Sequence, residues 1–199
     1  MYYPISRNST TASSVSVNTM SRASRATPSY DLLRPDLNGS FTARTRGLLA
    51  PEEFVILTRD GEEFGRLYLG RISDAELRSG EYVVRLEALG RRYRMILEDE
   101  QILAAEPKGR SLDELEIFCN RGVYEARFAF LRNLATASRQ RDGERAVRLS
   151  GSLMGRSYKA VFSTGDECAL PVAVLLLWHT VVNRRRAYRT VGLREGEAV

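Results

Sequence analysis

The hydrophobic pattern divides the chain into a long alternating region and one continuous apolar segment. Between about residues 41 and 163, apolar and polar residues alternate in short runs that turn residues separate. This period of two predicts β-strands with one buried face. Residues 169–182 read ALPVAVLLLWHTVV and are apolar all round. The pattern therefore predicts a β-rich domain followed by one enclosed helix.

The strand pattern is carried by a series of short segments. They are FVILTR (54–59), EFGRLYLG (63–70), EYVVRLEAL (81–89), RRYRMILED (91–99), QILAAE (101–106), ELEIFCN (114–120), VYEARFAFL (123–131), RAVRLSGSL (145–153) and SYKAVFS (157–163). The dipeptide Asp60-Gly61 predicts a hairpin between the first two. The segment RISDAELRSG (71–80) is expected to be a helical turn or a long loop. Short strands at this spacing are typical of a sandwich or a barrel.

An internal similarity links two parts of the β region. Residues 84–107 resemble residues 147–171, and the motif Gly-Arg-x-Tyr recurs at residues 90–93 and 155–158. Two copies are too few for a solenoid, but they fit a duplicated β-meander whose halves close one sheet. A chance similarity between two Arg-rich hairpins is the alternative.

The apolar segment is short for a membrane span. Fourteen helical residues span about 21 Å, whereas the hydrocarbon core of a bilayer is ~30 Å thick. Pro171 suits the first turn of a helix, and Thr164 or Asp166 can cap it. We therefore predict enclosure by protein, which requires a barrel of more than eight strands. A membrane tail anchor and a pair of strands are the alternatives.

The chain resembles the tubby C-terminal-like superfamily, which includes tubby proteins, phospholipid scramblases and LURP-one-related proteins. The resemblance rests on the turn in FVILTRDGEEFGRLYLG, the repeated Gly-Arg-x-Tyr strands and the final ALPVAVLLLWHTVVNRR. It covers about residues 41–190 and implies a mainly β fold, a closed antiparallel β-barrel of about 12 strands around a buried apolar C-terminal α-helix. The chain lacks a Cys-rich palmitoylation segment and an acidic calcium loop. No phosphoinositide-binding position of tubby proteins can be matched to it.

The resemblance and the composition together predict three parts. Residues 1–40 form a basic tail rich in Ser, Thr and Arg that is expected to be disordered. Residues 41–190 form the barrel domain, with the central helix at about residues 168–188, and residues 191–199 form a flexible C-terminal tail. The first segment has no apolar core of a secretory signal, but an organellar transit peptide is an alternative.

The net charge of +5 does not indicate a nucleic-acid-binding face. Six arginines and two aspartates lie in residues 1–46, so the rest of the chain is close to neutral. A basic tail on a nearly neutral domain lacks the basic face that nucleic acids require.

The residues that usually carry catalysis are scarce and scattered. The only histidine, His179, lies inside the apolar segment and is expected to be a core residue. Cys119 and Cys168 are far apart, form no zinc spacing and are expected to be small buried residues in a reducing compartment. We expect no catalytic residue, metal or cofactor, and no enzymatic activity.

The best candidate binding site is the cluster Arg184, Arg185, Arg186 and Arg189 at the end of the helix. Anionic lipid attracts such clusters, although a solvated helix end that complements the helix dipole is the alternative. We expect a non-enzymatic tubby-like module that contacts anionic lipid headgroups or a protein partner. Its expected location is cytoplasmic and peripheral at a membrane. A tail-anchored membrane protein with a cytosolic β domain and an uncharacterised enzyme are the alternatives, and the oligomeric state is left open.

Overall fold

The alternating part of the chain forms antiparallel strands that close on themselves. The computed structural model describes residues 37–45, 52–70 and 74–195, with side chains in the final helix described up to Ala187. The elements in these residues are β1 (Ser40–Thr45), β2 (Glu53–Leu57), β3 (Glu63–Leu69), β4 (Ala75–Ser79), β5 (Tyr82–Leu89), β6 (Arg92–Leu97), β7 (Glu100–Pro107), β8 (Glu114–Cys119), β9 (Gly122–Ala129), β10 (Leu134–Arg139), β11 (Arg145–Gly151), β12 (Ser157–Phe162) and α1 (Ala169–Glu195), with a 3-10 turn at Phe130–Arg132. Residues 1–36 of the predicted N-terminal tail lie outside the described residues.

Each strand pairs with its neighbours in sequence, and β1 pairs with β12 to complete a closed twelve-stranded barrel in the described residues. The predicted barrel is confirmed. Because the strands run up and down in sequence order, successive connections alternate between the two open ends. We call the end where α1 begins the helix-start rim, and the end where α1 leaves the barrel the helix-exit rim.

The apolar segment passes through the barrel interior. Every residue from Ala169 to Val182 is buried. Trp178 is 1% exposed, and its ring meets the ring of Tyr93 edge-on with centroids 5.6 Å apart. The enclosure predicted from the all-round apolar character is thus confirmed, and protein rather than lipid surrounds the segment. No helix among the described residues is both long and apolar enough to cross a membrane.

The sizes of the inward side chains explain how the helix fits. The helix lies closest to β10, β11 and β12. Several inward positions on this side are alanines, namely Ala43, Ala135, Ala137 and Ala160. The wall formed by β3 to β7 instead points large side chains inward, namely Leu67, Leu77, Leu86, Met95 and Leu103. Small residues near the helix and large ones opposite fill the interior at close packing.

The start of α1 follows its sequence signals. The Asp166 carboxylate accepts a hydrogen bond from the Cys168 backbone N–H at 3.0 Å. Of the two predicted caps, Asp166 is therefore the one that bonds a backbone N–H at the helix entry. Pro171 lies in the first turn, where its missing N–H has no helical partner to lose. The helix was expected to end near residue 188, but in the structure it continues to Glu195.

The prediction for residues 71–80 is wrong where the structure describes them. Ala75–Ser79 is strand β4, which lies between β3 and β5 and turns Ala75, Leu77 and Ser79 inward. The residues Ala, Glu, Leu and Arg favour a helix locally, but pairing with two neighbouring strands overrides this weak preference. Strands β1 and β10 were also missed, because their small and polar residues give little hydrophobic contrast.

The internal similarity has a structural counterpart. The two Gly-Arg-x-Tyr segments form the β5–β6 and β11–β12 hairpins, which are six strands apart in the barrel order. Gly90 and Gly155 both have φ of 66°, and both Tyr93 and Tyr158 are buried. The correspondence ends there, because the chain continues as β7 after the first hairpin and as the helix after the second.

We predict that Leu175→Ala lowers the free energy of unfolding by about 2–5 kcal/mol, because Leu175 is fully enclosed and its truncation leaves a cavity. Leu89→Ala is the matched control, since Leu89 is 55% exposed, and is expected to cost less than about 0.5 kcal/mol. Urea unfolding followed by the fluorescence of Trp178 measures both. Equal costs would contradict the enclosed helix.

Candidate functional site

The candidate arginines lie where α1 leaves the barrel, but they are not equivalent. The Arg184 guanidinium donates hydrogen bonds to the Asn133 side chain and to the Leu153 carbonyl, on two different rim connections. Gly155 leaves the space that this side chain needs: a Cβ there would lie 2.8 Å from Arg184 Nε, and its φ of 66° also favours glycine. Arg184 therefore joins the helix to the barrel wall.

The other arginines of the cluster lie further out. Arg186 is exposed and hydrogen-bonds the Tyr93 side chain. Burial raises the pKa of Tyr93, and the positive charge of Arg186 opposes that rise. Arg185 is half-buried. Arg189 belongs to α1, but its side chain is outside the described part. The structure thus brings three of the four predicted arginines to the helix-exit rim.

Three exposed apolar side chains share this rim. Leu131 is 100% exposed, Leu153 is 86% exposed and Met154 is 71% exposed, the highest values for large apolar residues in the described residues. Leu131 lies between β9 and β10, and the other two lie between β11 and β12. The hydrophobic pattern does not single them out, because both leucines look like the last residue of a strand. In the structure the strands end two residues earlier.

The two rims carry opposite charge. In the described connections of the helix-exit rim and at the helix end, basic residues outnumber the acidic residues Glu52, Asp74 and Asp113. The basic residues there are Arg91, Lys108, Arg110, Arg132, Arg156, Arg184, Arg185 and Arg186. In the described connections of the helix-start rim, acidic residues outnumber the basic residues Arg59, Arg121 and Arg141. The acidic residues there are Asp60, Glu62, Glu81, Glu98, Asp99, Asp142, Glu144, Asp166 and Glu167.

His179 is a core residue, as predicted. It is 1% exposed, and its Nε2 lies 3.1 Å from the Leu112 carbonyl oxygen and 2.9 Å from Asn183 Nδ2. The rings of Tyr93 and Phe128 pack against it, with centroids 4.9 and 4.5 Å away. Burial lowers the pKa of His179 to about 4, which keeps the ring neutral near pH 7.

The two cysteines are far apart in sequence but meet in space. Cys119 ends β8, and Cys168 immediately precedes α1 at the same rim. The ion pair between Arg121 and Glu167 joins the two segments, and neither cysteine is in a disulfide. The expectation of a buried residue is confirmed for Cys168, whereas Cys119 is only half-buried. Barrel closure brings the two segments together, which their separation in the sequence does not indicate.

Two depressions on the outer wall bring further charged groups together. One of about 450 Å³ lies across β3, β4 and β5 and includes Asp74, Arg85 and Glu87. Another of about 320 Å³ lies beside β1 and β12 and includes Arg59 and Lys159. Both depressions open to solvent, so water screens the charges that they contain.

Comparison with known proteins identifies the fold. No protein-family model matches the chain, and no curated protein matches it. The X-ray structure of the Arabidopsis thaliana protein AT5G01750 is similar, with a TM-score of 0.52 and 11% sequence identity over 75% of this chain and 95% of that one. At this identity the likeness shows the fold alone. The closed barrel around a helix is the architecture that the sequence resemblance implied.

We predict that Arg184→Ala costs about 1–3 kcal/mol in the free energy of unfolding, because the Asn133 side chain and the Leu153 carbonyl lose their donor. Arg132→Ala removes an equally charged but exposed side chain from the same rim and is expected to cost less than about 0.5 kcal/mol. Thermal unfolding compares them. A neutral Arg184→Ala would show that the arginine does not hold the rim together.

We also predict a pH dependence that comes from His179. Its folded-state pKa of about 4 lies below the ordinary value of 6.5, so its contribution to stability is complete above pH 6.5 and is lost as the pH falls towards 4. Between about pH 7 and pH 4.5, the wild type is expected to lose about 2 kcal/mol more than His179→Gln, which keeps a donor but does not titrate. Urea unfolding at both pH values measures the difference, and parallel profiles would contradict the prediction.

Proposed function

We propose that the protein is a non-enzymatic, tubby-like binding module that contacts anionic lipid headgroups through its helix-exit rim. The observation that carries the proposal is the coincidence, on this rim, of clustered arginines with the exposed side chains of Leu131, Leu153 and Met154. A surface with both properties suits the boundary between headgroups and acyl chains. The proposal places the protein peripherally at the cytoplasmic face of a membrane.

Charge supplies the attraction and the orientation. Each basic residue near an anionic bilayer contributes about 1 kcal/mol, and the effect fades within a Debye length of about 8 Å at physiological salt. The acid-rich helix-start rim lies at the other end of the barrel, roughly 21 Å away along the fourteen buried helical residues. It is repelled by the same surface. The barrel is therefore expected to stand with its helix-exit rim on the membrane.

The apolar side chains supply a component that salt does not screen. Transfer of a leucine or methionine side chain out of water contributes about 1.5–3 kcal/mol when burial is complete. Leu153 and Met154 are adjacent at one loop tip, and Leu131 lies on the next connection around the rim. These tips are positioned by the Arg184 hydrogen bonds, so insertion requires little ordering of the loops.

The helix dipole accounts for only part of the charge distribution. Asp166 at the start of α1 complements the dipole, whereas Arg184 lies well before the helix end at Glu195 and so outside the last turn. This effect acts within the first and last turns, whereas Asp60, Glu81 and Arg110 lie on strand connections rather than on the helix. The segregation of these charged residues to opposite rims supports a role for them in binding at the surface of the barrel.

We predict that the protein co-sediments with vesicles that contain phosphatidylserine, and that Arg132→Glu weakens this binding at least about fivefold at low salt. Arg141→Glu is the matched control, because it changes the net charge equally but lies on the helix-start rim, where the side chain is 84% exposed. It is expected to retain binding within about twofold. Equal losses in the two variants would contradict an oriented contact.

The apolar component is tested separately. Leu153→Ser is expected to weaken the vesicle binding that remains at high salt, whereas Val83→Ser, which alters an exposed position near the helix-start rim, is not. Absence of wild-type binding to anionic vesicles at low salt would overturn the lipid proposal. An acidic protein surface would then be the ligand class to examine.

A further inference from the structure

A cluster of polar groups surrounds the paired thiols at the helix-start rim. The Tyr124 hydroxyl donates a hydrogen bond to Asp166 at 2.8 Å, and Arg139 Nε lies 3.6 Å from the other oxygen of that carboxylate. Asp166 also accepts the Cys168 backbone N–H. Its negative charge is therefore met by two hydrogen bonds and by the nearby positive charge of Arg139, even though the carboxylate is close to Cys168.

The two thiols have different surroundings. Cys168 directly precedes the first residue of α1, and the ion pair between Arg121 and Glu167 holds the segment that follows Cys119 against it. A helix N-terminus favours a negative charge. The hydrogen bond from Cys119 lowers the pKa of Cys168 to about 7, although burial opposes this change. The same hydrogen bond and burial raise the pKa of Cys119.

We propose that Cys119 and Cys168 form a redox-active thiol pair, in which Cys168 is the site of oxidation by a hydroperoxide and Cys119 resolves it to an intramolecular disulfide. The argument rests on the meeting of the two cysteine segments at one rim, where Arg121 pairs with Glu167 and Tyr124 bonds Asp166, and on the interaction between the two thiols. Cys168 is 8% exposed and Cys119 is half-buried at the open rim, so only an oxidant as small as hydrogen peroxide is expected to reach the pair.

The chemistry proceeds in two balanced steps. The Cys168 thiolate attacks the terminal oxygen of a hydroperoxide, ROOH, which breaks the O–O bond, gives a sulfenic acid and releases ROH after protonation. The Cys119 sulfur then attacks the Cys168 sulfur, and the hydroxide that leaves takes the thiol proton to form water. In sum, two thiols and ROOH give one disulfide, ROH and water, and the hydroperoxide is the oxidant.

The disulfide has a structural consequence because it joins two different elements. It links the end of β8 to the residue before α1 and so fastens the start of the enclosed helix to the barrel wall. The chain between the two cysteines contains β9 to β12, and closing such a long loop restricts the unfolded chain strongly. Oxidation therefore stabilises the enclosed position of the helix.

The wild-type full chain tests the proposal directly. After reduction, a few equivalents of hydrogen peroxide near pH 7 are expected to remove both titratable thiols and to lower the mass by about 2 Da. A non-reducing digest is expected to join the peptides that contain Cys119 and Cys168. The oxidised chain is expected to melt several degrees higher, and dithiothreitol reverses the change.

Variants separate the two roles. Cys119→Ser is expected to stop at a sulfenic acid on Cys168 that dimedone traps, whereas Cys168→Ser is expected to react with peroxide at least about tenfold more slowly. Retention of both thiols after peroxide treatment of the wild type, or a disulfide between chains in place of the internal one, would overturn the proposal. These wild-type outcomes do not depend on the folding of either variant.

Discussion

The enclosure of α1 is the constraint on which the rest of the structure depends. A helix with fourteen successive buried residues cannot lie on the surface of a sheet, because one side would face water. A barrel of eight strands fills its own interior, so a larger ring is required. The off-centre path of the helix then decides where small side chains must be. Ala135, Ala137 and Ala160 lie on the near wall, and larger residues such as Leu86 and Met95 fill the opposite side.

The direction of the enclosed helix also relates the core to the surface. Its start carries Asp166, whose charge suits the helix dipole, and Arg184 lies where the helix leaves the barrel. Arg184 then connects the helix to the loops that present Leu131 and Leu153. The surface that we propose to meet lipid is thus held in place by the same helix end that completes the core. At the opposite rim, Asp166 links the helix cap to the environment of Cys168.

The fold could be predicted in large part because its signals are local. The Asp60-Gly61 hairpin is present, with Gly61 at a φ of 88°, and most of the predicted strands are found. The errors occur where local pattern and tertiary context disagree. Strand β4 has helix-favouring residues but fills a place between two strands, and β10 alternates alanine with threonine and serine, which gives little contrast. The candidate arginines were correctly placed at the helix end, but their different partners were not foreseeable.

The sequence by itself determined the alternating strands, the all-round apolar helix and the need for the strands to enclose the helix. Each of these depends on periodicity and on the cost of exposing apolar surface. Only the tertiary structure decided which connections share a rim. Barrel closure brings Leu131 beside Leu153, separates the acidic loops from the basic ones and joins Cys119 to Cys168. These are contacts between residues distant in the chain, and strand order and register set them, which no local pattern specifies.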